Sequence, residues 1–410
     1  MDALPSPAND AQQASDALQA RMRSRIRAAG GWVGFDHFMH TALYEPGLGY
    51  YTGGSRRFGA DGDFVTAPEL TPLFGHCVAR AIAPWLEQTE PLVLEFGAGT
   101  GQLAAQVLNA LERLGQAPEQ YLILEVSGVL RSQQRHTLEL LAPGLVDRVH
   151  WLDELPAMIE GVVLANEVLD AMPVRLFELI DGAIHERGLI RGGGDAALAW
   201  QTRRADPNFS EAVRRTLART GWSGADWREL DLQAWPNHYQ SELAEQGPGW
   251  IRTVGERLTR GVMLMFDYGF PGAEYFHPQR AGGTLACHYR HRVHHDPLFS
   301  PGLQDITAHV DFSAMVEAGE QIGLELLGYT SQGNFLLNAG LLEELAEWPV
   351  VHTTEYTRQS QAVQKLVSEA EMGELFKAMA LARNISVLGP AFQRGDRSGM
   401  LGPAPTGDES

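Results

Sequence analysis

Leu94-Glu95-Phe96-Gly97-Ala98-Gly99-Thr100-Gly101 is the stretch on which the fold of this 410-residue chain turns. The run Pro91–Phe96 is short and mostly apolar, which predicts a strand. Leu103–Leu114 has amphipathic spacing, which predicts a helix. The glycines between them let the main chain turn sharply and approach a ligand closely. The helix start that follows offers unpaired N–H groups to a carboxylate or hydroxyl. Outward from this unit the rhythm repeats. Tyr121–Val126 is an apolar run followed by a helix over Val129–Leu141, and Val149–Leu152, Gly161–Ala165 and Gly261–Asp267 are further runs. Strands alternating with helices imply parallel pairing with right-handed crossovers. Runs with little polar alternation suit strands covered on both faces. The expected fold is α/β, with a Rossmann-like sheet.

Glu125 ends the strand after the glycine turn, where an acid can accept hydrogen bonds from both hydroxyls of a ribose. Two nucleoside cofactors must then be separated. Dinucleotide dehydrogenases prefer G-x-G-x-x-G, whose third glycine admits a pyrophosphate. Here the spacing is G-x-G-x-G, the next residue is the bulky Gln102, and an acid, Glu95, precedes the first glycine. That acid suits a cofactor with a positive amino-acid tail and a sulfonium, S-adenosyl-L-methionine. The candidate cofactor contacts are Thr66, Glu95, Gly97, Ala98, Gly99, Gly101, Glu125, Val126, Leu152, Asp153, Asn166 and Glu167.

The fourth strand runs into Ala165-Asn166-Glu167-Val168-Leu169-Asp170-Ala171-Met172-Pro173. Ligands of open α/β sheets lie beyond the carboxyl ends of the strands, so Asn166 and Glu167 should face the cofactor. Methyl transfer from a sulfonium needs in-line approach and exclusion of water, most of which is positioning. A guanidinium acceptor also needs carboxylates to orient it. Glu167, Asp170 and Asp267 are the catalytic candidates, with Glu69 and Asp305 as further acids. For each, a helix cap or a surface position is the alternative. Gly62–Glu69, containing Asp63 and Thr66, is expected to be a flap over the cofactor, with Thr66 or Thr71 capping the next helix. Cys287, His288, His291, His294 and His295 crowd one loop, but their spacing matches no standard zinc finger; no metal is assigned.

A net charge of −19 repels phosphate backbones and excludes nucleic acid as the expected substrate. It suits a basic peptide or protein partner, and also simple solubility. Two cysteines cannot build a disulfide framework, and no apolar run is long enough for a bilayer. The N-terminal residues lack a basic segment followed by an apolar stretch. Together these predict a cytoplasmic protein that contacts no membrane; the oligomeric state is left open.

The rest of the chain divides as follows. Residues 1–90 form an N-terminal helical segment with the flap, 91–175 the first part of the core, 176–260 an insertion, and 261–402 the second part of the core. Within the insertion, Val174–Gln201 predicts a β-ribbon turning at Asp181-Gly182, and Arg204–Trp250 a Trp-rich helical piece over a cleft. Gly282–Asp305 is expected as a loop, Ser360–Leu375 as a helix and Ile385–Leu388 as the last strand.

Several segments together resemble the MidA-type methyltransferases over nearly the whole chain: Tyr44–Tyr51, Gly62–Glu69, Glu95–Gly101, Ala165–Pro173, Phe266–Gly269, Gly283–Leu285, Asp305–Phe312 and Gln332–Leu336. The glycine turn is shared by most methyltransferases; the Gly-Asp-Phe…Pro-Glu, Asn-Glu…Asp-Ala…Pro and Asp-Tyr-Gly set is more specific. Ala67 stands where the family typically has Ser. The resemblance implies a class I methyltransferase core with S-adenosylmethionine as donor. The mitochondrial relatives assist assembly of respiratory complex I by symmetric dimethylation of a subunit arginine. Open alternatives are methylation of a small molecule or another side chain, and an assembly chaperone that binds cofactor structurally.

Overall fold

The computed structural model describes residues 4–53, 65–193, 197–222, 226–349 and 353–402. Its centre is a seven-stranded sheet: β1 (Leu92–Phe96), β2 (Gln120–Leu124), β3 (Val149–Leu152), β4 (Ile159–Asn166), β5 (Leu258–Phe270), β6 (Glu325–Ser331) and β7 (Phe376–Arg383). The spatial order is β3-β2-β1-β4-β5-β7-β6, with the short strand Val310–Asp311 pairing beside the end of β5. Strands β1 to β5 pair in parallel, and β7 runs antiparallel to both β5 and β6. An all-parallel dinucleotide-binding sheet has the order 3-2-1-4-5-6; insertion of an antiparallel strand next to the edge distinguishes this one.

Successive side chains of a strand point to opposite faces, and here both faces are buried. Val93, Val162, Leu164, Val262 and Leu264 join one apolar layer with the helices Leu73–Leu86 and Gln102–Arg113. Leu94, Val163, Ala165, Met263 and Met265 join the other with Ile251, Val254, Phe312 and Met315. This double burial explains the unbroken apolar runs of the sequence.

Strand β7 lies at Phe376–Arg383, not at the expected Ile385–Leu388, which follows it outside any strand. Its Lys-Ala-Met-Ala-Leu-Ala composition favours a helix, but residues 376–382 are buried between β5 and β6, and that setting prevails. The helix expected over Ser360–Leu375 is Thr353–Val367 followed by a separate short turn, Met372–Leu375.

The ribbon is present, with Asp181 and Gly182 both at positive φ, and it grows into a second sheet of Val33–Gly34, Arg175–Ile180, Ala183–Arg191, Leu198–Arg204 and Tyr239–Leu243. The expected helical piece therefore also contains a strand, besides the helices Pro207–Arg219 and Gln246–Arg257. The His-rich segment is not a plain loop: Ala286–Tyr289 pairs with Arg292–His294 and with Asp305–Thr307. Among the described residues no group of three or more His, Cys, Asp or Glu is placed to hold a metal, and no helix is long and apolar enough to cross a membrane.

Candidate active site

A cavity of about 340 Å³ opens at the carboxyl ends of β1, β2 and β4. The glycine turn forms its floor. Gly97, Gly99 and Gly101 have φ of +60°, +51° and +84°, a region that favours glycine. A Cβ at Gly101 would lie 3.0 Å from the Gln134 Cα, and one at Gly97 3.3 Å from Val168 Cγ2. A Cβ at Gly99 would meet nothing within 4 Å. Gly101 thus serves close packing, at the start of the helix Gln102–Arg113, and does not line the cavity. Gly99 leaves room for a ligand.

Glu95 is 2% exposed and lines the cavity, with the Tyr121 hydroxyl donating to its Oε2 at 2.7 Å. Burial pushes its carboxyl up to about 7. Glu125 accepts the Ser127 N–H on Oε1 at 2.8 Å and the Gln134 amide on Oε2 at 3.1 Å. The same Gln134 amide group donates to the Gly99 carbonyl at 3.0 Å, and its Oε1 accepts the Trp151 indole N–H at 2.9 Å. One buried glutamine thereby ties the glycine turn to Glu125. Nothing in its local sequence marks this role, which depends on a helix packing across two strands.

Thr66, Ala98, Val126 and Asn166 also line the cavity. Leu152 and Asp153 do not: the Leu152 carbonyl accepts from Arg131 at 2.6 Å, and the exposed Asp153 pairs with the same guanidinium at 2.7 Å. Thr66 precedes the short helix Ala67–Leu70 without capping it through its side chain. Thr71 instead accepts the Leu73 N–H at 3.2 Å. Asp63 lies outside the described residues.

The segment after β4 carries the acids. Glu167 has φ +52° and faces the cavity, and its Oε1 accepts from the Asn166 amide at 3.1 Å. Burial first, and Asp170 next, push its carboxyl up to about 8. Asp170 also lines the cavity, and burial pushes it up to about 6. Asp267 sits behind the cavity. Its Oδ2 accepts the N–H groups of Leu169 and Asp170 at 2.9 and 3.2 Å, and its Oδ1 accepts that of Tyr268 at 2.9 Å. It fixes the turn that presents Asp170, which makes it a positioning residue. Asp305 lines the cavity and accepts the Tyr51 hydroxyl at 2.9 Å; Glu69 lines it too and accepts from Thr100 at 3.1 Å.

The remaining wall was not marked as a site in the sequence. Tyr44 and Tyr51, from the N-terminal segment, stack at 5.5 Å and 25°. Trp250, from the insertion, meets Phe96 edge-on at 5.0 Å. Leu124, Leu130 and Met172 complete an apolar lining. No Lys, Arg or His lines the cavity among the described residues, whereas Glu69, Glu95, Glu125, Glu167, Asp170 and Asp305 do. These residues fit a cofactor with an adenine, a ribose and two positive centres. There is apolar surface beside β2, an acid with free lone pairs on the ribose side, open space over Gly99 and carboxylates for the charges. A dinucleotide would place a pyrophosphate against this acidic turn and be repelled.

Sheet order, glycine turn and acid together define a class I S-adenosylmethionine-dependent methyltransferase. The comparisons agree. A crystal structure of a Burkholderia thailandensis protein bound to S-adenosyl-homocysteine superposes with a TM-score of 0.90 at 48% identity, covering 97% of this chain and all of that one. Relatives named protein arginine methyltransferase NDUFAF7 are similar too. The one from Drosophila melanogaster is 27% identical, covering 92% of this chain and 87% of its own length; the human one is 26% identical, covering 88% and 82%. Residues 77–330 match the family of S-adenosyl-L-methionine-dependent methyltransferases to which these MidA-type proteins are assigned, and the chain belongs to that family.

Proposed function

We propose that this methyltransferase acts on arginine side chains of a protein. The observation that carries the reading is the charge of the cavity: six carboxylates and, among the described residues, no basic side chain line one chamber. A sulfonium donor accounts for some of that charge. Glu69, Glu167, Asp170 and Asp305 remain for a cationic acceptor, and a guanidinium is the protein cation whose planar N–H groups match carboxylates. The relatives named protein arginine methyltransferases support the same choice.

The donor supplies an electrophilic methyl carbon. On the protein side, Glu95 answers its amino-acid tail, Glu125 its ribose, and Thr66, Val126 and Asn166 flank it; Gly97, Ala98 and Gly99 keep the main chain close. The acceptor nitrogen supplies the electron pair of the new N–C bond as the C–S bond breaks, and it must lose a proton. Glu167, whose carboxyl is pushed up to about 8, is the stronger base of the facing pair once it is ionised, and Asp170, pushed up to about 6, is the more readily ionised of the two. By the family resemblance, the setting is a bacterial cytoplasm and a link to complex I assembly.

Lysate of a deletion strain, incubated with the enzyme and tritiated donor, tests this directly. Label is expected on an arginine of one protein. Label confined to small molecules or to another side chain would overturn the reading. Glu167→Gln should leave cofactor affinity nearly intact and slow transfer by at least about a hundredfold. Wild-type turnover in that variant would remove Glu167 from the chemistry.

A further inference from the structure

We propose that Asp170, Tyr268, Thr307 and His288 form a relay that carries the proton released by the acceptor out of the chamber to solvent. This rests on the reading above only in requiring an acceptor nitrogen that loses a proton on methylation. Asp170 Oδ2 accepts the Tyr268 hydroxyl at 2.5 Å. The Thr307 side chain is a second hydrogen-bond partner of that hydroxyl. The Thr307 hydroxyl in turn meets His288 Nε2 at 3.4 Å. Asp170 lines the cavity and Tyr268 does not; Thr307 is buried and His288 half-buried. The four groups therefore run from the chamber wall, through the protein, towards its surface. Three elements supply them beyond Asp170. Tyr268 stands near the end of β5, and the paired strands Ala286–Tyr289 and Asp305–Thr307 bring His288 and Thr307 together as diagonal neighbours on one face.

A chamber filled by cofactor and acceptor excludes the water that would otherwise take the proton. Glu167 and Asp170 line it together, and Asp170 raises the Glu167 carboxyl, so a proton taken by either belongs to the pair. From a protonated Asp170 the steps balance. Its O–H gives a proton to the Tyr268 oxygen, as Tyr268 gives its own to Thr307 and Thr307 its own to His288 Nε2. The imidazolium so formed releases a proton from Nδ1 to water. One proton leaves, and each hydroxyl still carries one. Neither hydroxyl ionises along the way, which suits Tyr268, whose burial and nearby Asp170 hold its hydroxyl well above the usual range. His309 meets Tyr268 edge-on at 4.9 Å, and burial pushes its ring down to about 4, so it is a packing partner and not the exit.

The test measures label transferred from tritiated S-adenosylmethionine, at saturating donor, to lysate of a deletion strain. His288→Ala should lower the maximal rate at least about tenfold. S-adenosylhomocysteine affinity and the half-saturating lysate concentration should stay unchanged, the first serving as the folding control. Excess imidazole should restore most of the rate, because free imidazole can take the proton from Thr307. Thr307→Val should lose rate in the same way without responding to imidazole, whereas Thr307→Ser should keep it. A wild-type rate in His288→Ala or in Thr307→Val would overturn the relay, as would a loss in His288→Ala that imidazole leaves unrepaired. The rate counts total label, so the relay is scored whatever group carries the methyl; the arginine reading stands or falls on the identity of that group alone.

Discussion

A side chain at Gly99 would project into open cavity, and at φ +51° a β-branched residue is also strained. Gly99→Val should therefore weaken S-adenosylmethionine binding by at least about tenfold, each decade being about 1.4 kcal/mol; calorimetric titration checks this, and unchanged affinity would remove Gly99 from the site. Glu167 carries a pH signature. Its carboxyl titrates higher in the fold than in an unfolded chain, so the folded protein holds the extra proton between the ordinary value of 4.5 and about 8. That contribution to stability is fully present below pH 4.5 and is lost as pH rises through 8. Ligand-free wild-type protein should lose more stability than Glu167→Gln over that window, as followed by denaturant unfolding. Turnover should show the opposite trend, with kcat/KM rising towards pH 8 as the base ionises.

At the scale of elements, the segment after β4 is held from several sides. The Glu167 N–H donates to the Phe266 carbonyl at 2.8 Å, Ala308 N–H to the Asp170 carbonyl at 3.0 Å, and the Tyr44 hydroxyl to the Ala171 carbonyl at 3.0 Å. Asp267 closes it from β5. Asp267→Ala strands three N–H groups, two of them buried, and should cost about 2–4 kcal/mol of stability. Activity should fall further than stability alone explains, because Asp170 loses its aim; a variant destabilised as expected but with unaltered kcat would show that the turn holds itself. The glycine turn and the Asn-Glu segment were legible because their geometry is local: a strand, a tight turn, a helix start. Strand β7 was not, because its alanine-rich sequence takes its conformation from the two strands that flank it.

At the scale of the molecule, the cavity is assembled from five separated parts of the chain: Tyr44 and Tyr51, Thr66 with Pro68 and Glu69, the core residues 95–172, Trp250, and Asp305. A ligand that bridges them should stabilise the whole fold by mass action, about 2.7 kcal/mol at a hundredfold excess over Kd. S-adenosylhomocysteine should raise the melting temperature, and NADH at the same concentration should not. An equal rise with NADH would contradict the separation of cofactors made on Glu95 and the glycine spacing.

The sequence alone determined the α/β core, the donor and the Asn166-Glu167 segment, because unbroken apolar runs, tight turns and acids at strand ends are encoded within a few residues of one another. Tertiary structure decided the acceptor side. Which acids share the chamber, which one hides behind it, and which tyrosines face them depend on residues up to 254 positions apart, as in the Tyr51–Asp305 hydrogen bond. Contacts of that span leave no periodicity to read; they are fixed only when sheet and insertion pack together.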